Sequence, residues 1–395
     1  MTDLSEFQDG EPRWQSNQPK GWEPSLEWKG TRGTLTTGPV EHEPTDAIWG
    51  NLIADWGLDP AQVRIVPGSV QVRAWDANCG GGEIKRLKYY RASLEPVIKT
   101  EDHADIDALC RLVEKRKPVK PTFVAGSQRA AIVNLSDWQI GKGEGGGTPA
   151  FVERMMVTID RLQDHLKMLR KLGIEAVYLV GLGDLIEQCD GHYDMQAFSV
   201  DLDRREQMRL ARRIILGFVD MVIGLGLRAV IGAVPGNHGE NRRNGKTFTT
   251  WTDNDDLAVF DGIGEIISHN AERYALASIP QAVNPDDLTL TLNVAGVPVG
   301  WAHGHQCKSG GPEKWWSGQV MGHQPIGQAQ ILNTGHFHHL TISEKTGRTW
   351  MQMPANDGGS YWWTAQTGQA SPAGTVCYVA GNSCGPRGWA DLVVV

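Results

Sequence analysis

The chain has no long apolar run. Its most apolar stretches, such as Ile214 to Leu227, are broken by Asp220 and by glycines, so a membrane-spanning helix of about 20 residues is not expected. The opening MTDLSEFQDGEPRW has neither a basic start nor an apolar core, which argues against an ordinary secretory signal. Cysteine is sparse and scattered: Cys79, Cys110, Cys189, Cys307, Cys377 and Cys384 include no Cys-x-x-Cys pair. That excludes a zinc knuckle or a dense disulfide framework, and free thiols point to a reducing compartment, the cytoplasm. Positive charge is not in excess either. A formal net charge of −8 excludes indiscriminate coating of nucleic acid, although local basic patches and bound divalent ions can still draw phosphate into one cleft. No internal repeat of solenoid period is present.

What is there is the composition of an ordinary globular enzyme. The 395 residues, 40% hydrophobic and 21% charged, are enough for two or three domains and a substantial core. Five short segments end in metal-ligand residues: SDWQIGK (Ser136 to Lys142), GLGDLIE (Gly181 to Glu187), PGNHGE (Pro235 to Glu240), WAHGH (Trp301 to His305) and TGHFHH (Thr334 to His339). Each follows an apolar run, namely AAIVNL, AVYLVG, RAVIGAV, VPVGWA and AQILN. Strands that deliver Asp, Asn and His to one rim of a sheet are how an α/β fold assembles a ligand cluster.

In this order the segments resemble the calcineurin-like metallophosphoesterases, whose series runs Asp-x-His, Gly-Asp, Gly-Asn-His-[Asp/Glu], His and Gly-His-x-His. Gly183–Asp184, Gly236–Asn237–His238, His303 and Gly335–His336–Phe337–His338 match directly. Gly239 is inserted before Glu240, and Asp137–Trp138–Gln139 has Gln where the family has His. The surroundings of that first block are similar to the DNA-repair exonuclease branch. The resemblance covers about Ala130 to Trp350. It implies an α/β (α+β) fold, a calcineurin-like four-layer α/β/β/α sandwich, here with a small N-terminal accessory domain.

The resemblance also implies a two-metal phosphodiesterase. Two divalent ions about 3.5–4 Å apart can activate a hydroxide and neutralise a phosphoryl transition state. By resemblance, one ion takes Asp137, Gln139, His338 and a bridging Asp184, and the other takes Asn237, His303, His336 and the same bridge. His238, next to Asn237, is placed to protonate the leaving oxygen, so Asp184 and His238 are the catalytic candidates. His303 is favoured over His305 because the family's ligand precedes Gly. Manganese is the first choice of metal, with Mg, Fe and Zn as alternatives, since the neutral amide oxygen of Gln139 suits harder ions than imidazole does. Arg242, Arg243 and His305 are candidates for substrate contact. The GKT at Gly245 to Thr247 is not a P-loop, because Glu240 stands where that loop needs glycine and no strand directly precedes it.

Residues 1–45, rich in Gly, Pro, Glu and Thr, read as extended or partly disordered. Residues 46–120 read as a small accessory domain and linker with a winged-helix flavour: a helix over DAIWGNLIADWGL, a hairpin over VRIVPGSVQVRAW, then a second helix. Its IKRLKYYR segment (Ile84 to Arg91) either contacts DNA through interleaved cations and tyrosines or is a wet helix face. A second basic run, Glu114 to Lys120, reads as solvated linker. Residues 121–350 are the phosphoesterase domain, with helices from Ala150 to about Leu172 and from Asp203 to about Leu225, and hairpins at Ala295–Gly296 and Thr346–Gly347. Residues 351–395 read as an extension packed on it. Three functions follow: a DNA exonuclease or other nuclease, a phosphoesterase on small molecules or phosphoproteins, or a binding protein with a structural centre. DNA is the expected partner and a membrane is not. A homodimer or an ATPase partner is left open by the sequence.

Overall fold

The structure is a computed structural model that describes residues 22–29, 32–40, 42–78, 84–96, 105–115, 128–243, 245–279, 288–307, 311–368 and 370–395. Cys79 and most of the Glu114 to Lys120 run lie outside the described residues. The chain divides into two compact units, Met1–Glu101 with Tyr193–Phe198, and Asp102–His192 with Ser199–Val395.

In the first unit, β1 (Ser25–Lys29) and β2 (Arg32–Thr36) are followed by α1 (Asp46–Asp55), β3 (Val63–Ile65), β4 (Gln71–Asn78) and β5 (Ile84–Pro96). In one five-stranded antiparallel sheet, β2, β3 and β4 each pair with β5, and β1 pairs with β2. This differs from the sequence expectation in three ways. The N-terminal stretch, read as extended or partly disordered, supplies two paired strands. β3 and β4 do not pair with each other but each with β5. The IKRLKYYR segment is strand, not helix. Leu87, Tyr90 and Leu94 are three and four residues apart, the spacing of a helix face. Tyr90, Ala92 and Leu94 nevertheless line one face of β5, in the core with Leu35, Trp49 and Ile53. Tyr89, on the other face, stacks on Trp75 with ring centroids 4.8 Å apart. Both tyrosines are buried, so neither is available for stacking on bases.

The second unit opens with α2 (Ile106–Glu114) and β6 (Ala130–Leu135), then alternates α3 (Gly147–Lys171), β7 (Ala176–Gly181), α4 (Arg204–Gly224) and β8 (Arg228–Ala233). Next come the short β9 (Arg242–Arg243) and β10 (Lys246–Thr247), α5 (Asp255–His269), β11 (Ala277–Ser278), β12 (Leu290–Val294), β13 (Val297–Ala302), α6 (Pro312–Met321), β14 (Ile331–Thr334), β15 (Thr341–Lys345), β16 (Arg348–Gln352), α7 (Tyr361–Thr367), β17 (Val376–Ala380) and β18 (Trp389–Val394). One sheet runs β11-β8-β7-β6-β17-β18 and the other β12-β13-β14-β16-β15. The first four strands of the former are parallel, as are β13, β14 and β16 in the latter.

Strand alternation builds the layers. Ala131, Val133, Leu135, Val177 and Leu179 face α3, α4 and α5 in one core. Their neighbours Ala130, Ile132, Ala176 and Val180 face Val299, Trp301, Ile331 and Met351 of the second sheet in another. Beyond that sheet, Ala302 and Leu332 pack on Trp316 of α6. The order is therefore helix, sheet, sheet, helix. Trp301 Nε1 donates to Asn134 Oδ1 at 3.0 Å, tying the two sheets together. Asp203 caps α4 in a full capping box with Glu206, and Asp201 instead accepts from Thr148 at the start of α3. Residues 376–394 are not a mere extension: β17 pairs antiparallel with β6 inside the first sheet. No helix among the described residues is long and apolar enough to cross a membrane.

Candidate metal centre

Parallel strands end on one side of a sheet, and the loops beyond those ends carry the site. Ser136 to Gln139 follow β6, Gly183–Asp184 follow β7, Gly236 to His238 follow β8, His303 follows β13 and Gly335 to His338 follow β14. A sixth strand end, that of β16, leads to Asn356 and Asp357, which no motif marked. Asp137, Asp184, Gln139, His336 and His338 all have positive φ, between 44° and 71°. Non-glycine residues rarely adopt that backbone, and it concentrates at functional sites.

Asp184, His303 and His336 bring ligand atoms within 4.8 Å of one another. Asp184 Oδ2 lies 3.0 Å from His303 Nε2, and Asn237 Oδ1 lies 3.1 Å from the same nitrogen. His303 Nδ1 is 2.6 Å from the Leu182 carbonyl, which fixes the ring and leaves Nε2 for a ligand, the usual support of a metal-binding histidine. These four residues fit a divalent ion: two oxygens and two imidazole nitrogens converge, all but His336 and Asn237 fully buried.

Asp256, at the start of α5, holds the loops that carry them. Its carboxylate accepts from the main-chain N–H groups of Asp184 and Gly236, both at 2.9 Å, and of Leu185 at 3.0 Å. Asn254 caps the same helix and donates to the Gly236 carbonyl at 2.9 Å. Neither residue carried a signal in the sequence beyond the Asn-Asp-Asp string of an ordinary helix start. The inserted Gly239 has a steric reason, since a Cβ there would meet Asn254 Oδ1 at 2.3 Å.

The position assigned by resemblance to the other ion is different. Asp137 accepts from the His336 N–H at 3.1 Å and from the Ser136 hydroxyl, and its Oδ1 lies 3.3 Å from His338 Nε2. Gln139 does not present a free oxygen: its Oε1 accepts from Lys142 Nζ at 3.2 Å, and its Nε2 is 3.2 Å from His238 Nε2. Lys142 also pairs with Asp357 Oδ2 at 2.5 Å. Asp357 Oδ2 lies 3.7 Å from His338 Nδ1.

His238 sits beside both positions. Its N–H donates to Asp184 Oδ1 at 2.7 Å, and its Nδ1 is 3.0 Å from the Glu187 carbonyl. Its ring stacks on His192 with centroids 4.5 Å apart and planes 4° from parallel. Burial depresses the His238 pKa, but the Asp184 and Glu187 carboxylates outweigh it and the net direction is up. Burial likewise opposes His303, whose Asp184 partner lifts it to about 9. His336, without such a partner, is pushed down to about 4 by burial and by His303. Asp184 is held well below the usual carboxylate range: burial works the other way, and the His303 and His238 charges overcome it.

Of the residues expected to meet substrate, Arg242 is turned inward, donating from Nε to Glu240 Oε2 at 2.8 Å. His305 Nε2 lies 3.8 Å from Glu240 Oε1, and burial pushes its pKa to about 3. Arg243 is exposed. The β9–β10 hairpin is anchored by Glu240, which also accepts from Thr247 Oγ1 at 2.9 Å. Phe248 and Trp251 just beyond it are 63% and 62% exposed. His339 is exposed and turned to the Phe337 carbonyl.

No protein-family profile matches the chain, and no curated protein does. Solved structures with a similar arrangement include a mutant of Vps29 from Entamoeba histolytica, at 13% identity and TM-score 0.30, covering 67% of this chain and 99% of that one. They also include an archaeal phosphodiesterase at 10% identity and TM-score 0.31, covering 68% and 99%. A predicted phosphoesterase from Streptococcus pneumoniae TIGR4 is similar at 11% identity and TM-score 0.28, covering 65% and 86%. Likeness of this degree says nothing about activity.

Proposed function

We propose that the chain is a metal-dependent phosphoester hydrolase of the calcineurin-like kind, and that its substrate is a DNA phosphodiester. The observation that carries the first half is the convergence of Asp184, Asn237, His303 and His336 around one point, with His238 alongside. A divalent ion held by that set supplies a Lewis acid for a phosphoryl oxygen and an acidified water at neutral pH. The mixed oxygen and imidazole donors suit manganese, and also iron or zinc. The chain's own residues do the rest. Asp184 anchors the His238 main chain through Oδ1, and the Glu187 carbonyl fixes Nδ1. That leaves Nε2, 3.2 Å from the Gln139 amide nitrogen, as an acceptor in the neutral ring; as the imidazolium, with the leaving oxygen in place of that amide contact, it would hand over a proton.

DNA is favoured by the SDWQIGK block and by the exposed surface just after the catalytic turn. There Phe248 and Trp251 stand out beside Arg243 and Lys246, and aromatic rings among cations are how single strands are gripped without base readout. Small-molecule and phosphoprotein esters are the alternative, because the same centre would serve them. A metal-dependent activity panel separates these: linear DNA, circular single-stranded DNA, a nitrophenyl phosphodiester and a phosphopeptide. Turnover of DNA in preference to the others is expected. Turnover of the phosphopeptide alone would replace the DNA half, and silence on all substrates with metal bound would leave a binding protein.

A further inference from the structure

The first-ion position is built around a cation of the chain itself. Lys142 lies three residues beyond Gln139 and its side chain is only 11% exposed. Its ammonium meets Asp357 Oδ2 at 2.5 Å and Gln139 Oε1 at 3.2 Å, with Glu144 Oε2 at 3.9 Å. An ammonium only donates, so the Gln139 oxygen must face it, and the amide NH₂ is then left to His238 Nε2. A divalent ion on that oxygen would share one acceptor with a second positive charge in a buried site, where like charges repel most. Asp137 accepts from Ser136 and His336, and His338 lies between Asp137 and Asp357.

We propose that Lys142 stands in for one of the two metal ions, so that the chain works with a single ion at Asp184, Asn237, His303 and His336 and a built-in ammonium beside it. This rests on the phosphoesterase assignment above and deepens it. The loss of a histidine at 139 and the lysine at 142 are then one change: the amide gives up a ligand nitrogen and turns its oxygen to the ammonium. Two of the three ammonium donors are engaged by Asp357 and Gln139. The third has only Glu144 Oε2, at 3.9 Å and beyond hydrogen-bond reach, so it would meet a phosphoryl oxygen as a fixed positive charge in place of an exchangeable one.

Metal stoichiometry decides it without reference to turnover. The full-length protein is equilibrated with Mn²⁺ and examined by elemental analysis and electron paramagnetic resonance. One ion per chain with the six-line spectrum of an isolated Mn²⁺ is expected. The Gln139→His/Lys142→Met double variant, which restores an imidazole and removes the ammonium, is expected to take up two ions and to show an exchange-coupled spectrum. Two coupled ions in the wild type would overturn the proposal, as would a folded double variant that stays at one. If the double variant fails to fold, the wild-type spectrum alone decides. One ion without hydrolysis of any phosphoester would leave the stoichiometry standing and remove only the catalytic assignment. No bound ion would remove both.

Discussion

Gly236 passes so close to Asp184 that a Cβ on it would lie 2.1 Å from the carboxylate Oδ1 and 2.2 Å from the Asp184 nitrogen. The constraint is steric, since Gly236 is not among the glycines with positive φ. Gly236→Ala is therefore expected to push the β7 and β8 loops apart, at about 1–3 kcal/mol of stability, the usual cost of overpacking. Metal affinity should fall with it. Thermal melts and a Mn²⁺ titration check this, and an alanine variant that melts and binds like the wild type would mean that the loops are slack.

Asp184→Asn should leave the fold intact and abolish hydrolysis, because the carboxylate that faces both His303 and the His238 main chain is replaced by a neutral amide. More than a small residual rate, with the ion still bound, would contradict its role.

His238→Ala should keep the ion and lose about 10²–10⁴ in rate, the range for one general acid. The loss should shrink for a nitrophenyl ester, whose leaving group needs no proton. Equal losses on good and poor leaving groups would reduce His238 to a positioning role.

Proton linkage gives a test on the metal-free protein. His303 is raised from 6.5 to about 9, so the stability it contributes is complete below about pH 6.5 and is lost as pH rises through about 9. Asp256, lifted from 3.8 to about 7 by burial and by Asp184, acts in the same direction at lower pH. The metal-free protein should thus melt at falling temperature between about pH 7 and about pH 9. An ion must displace the His303 proton, so its affinity should climb over the same window and then level. Calorimetry in buffers of different ionisation heat should find about one proton released per ion near pH 7. A flat affinity profile would show that His303 is not protonated in the metal-free state.

Phe248→Ala and Trp251→Ala address the nucleic-acid face. Each should weaken single-stranded DNA binding by about 1–3 kcal/mol, the value of one stacked base, and leave the nitrophenyl diester rate unchanged. Equal binding by wild type and both variants would remove the hairpin from the substrate path.

Where strands were short, apolar and followed by Gly-Asp, Gly-Asn-His or Gly-His, sequence and structure coincide, because alternation and a strand-end ligand leave one arrangement for each block. Asp256 and Asp357 escaped because their work is positional: one caps a helix and gathers three N–H groups, the other waits beyond β16 in QMPANDGGSY, a string with no ligand spacing. α5 itself went unseen, its apolar face interrupted by Gly262 and Gly264. β5 imitated a helix because paired tyrosines break its alternation, and only burial on both faces explains them. Lys142 was visible as a letter, but its inward turn depends on Asp357, which the sequence placed in the tail.

The pairing of β6 with β17 sets an order of events during synthesis. Asn134 finds its partner only at Val376, and Asp357 also arrives late in the chain. Until then β6, fully buried in the finished protein, has an apolar edge with nothing beside it, the kind of edge along which nascent chains aggregate. Closure of that edge and completion of the Lys142–Asp357 contact both wait for residues 357–380. A ribosome-bound fragment ending before β17 should therefore be sticky and prone to capture by chaperones, and a fragment ending before Asp357 should also lack the anchor of its internal cation.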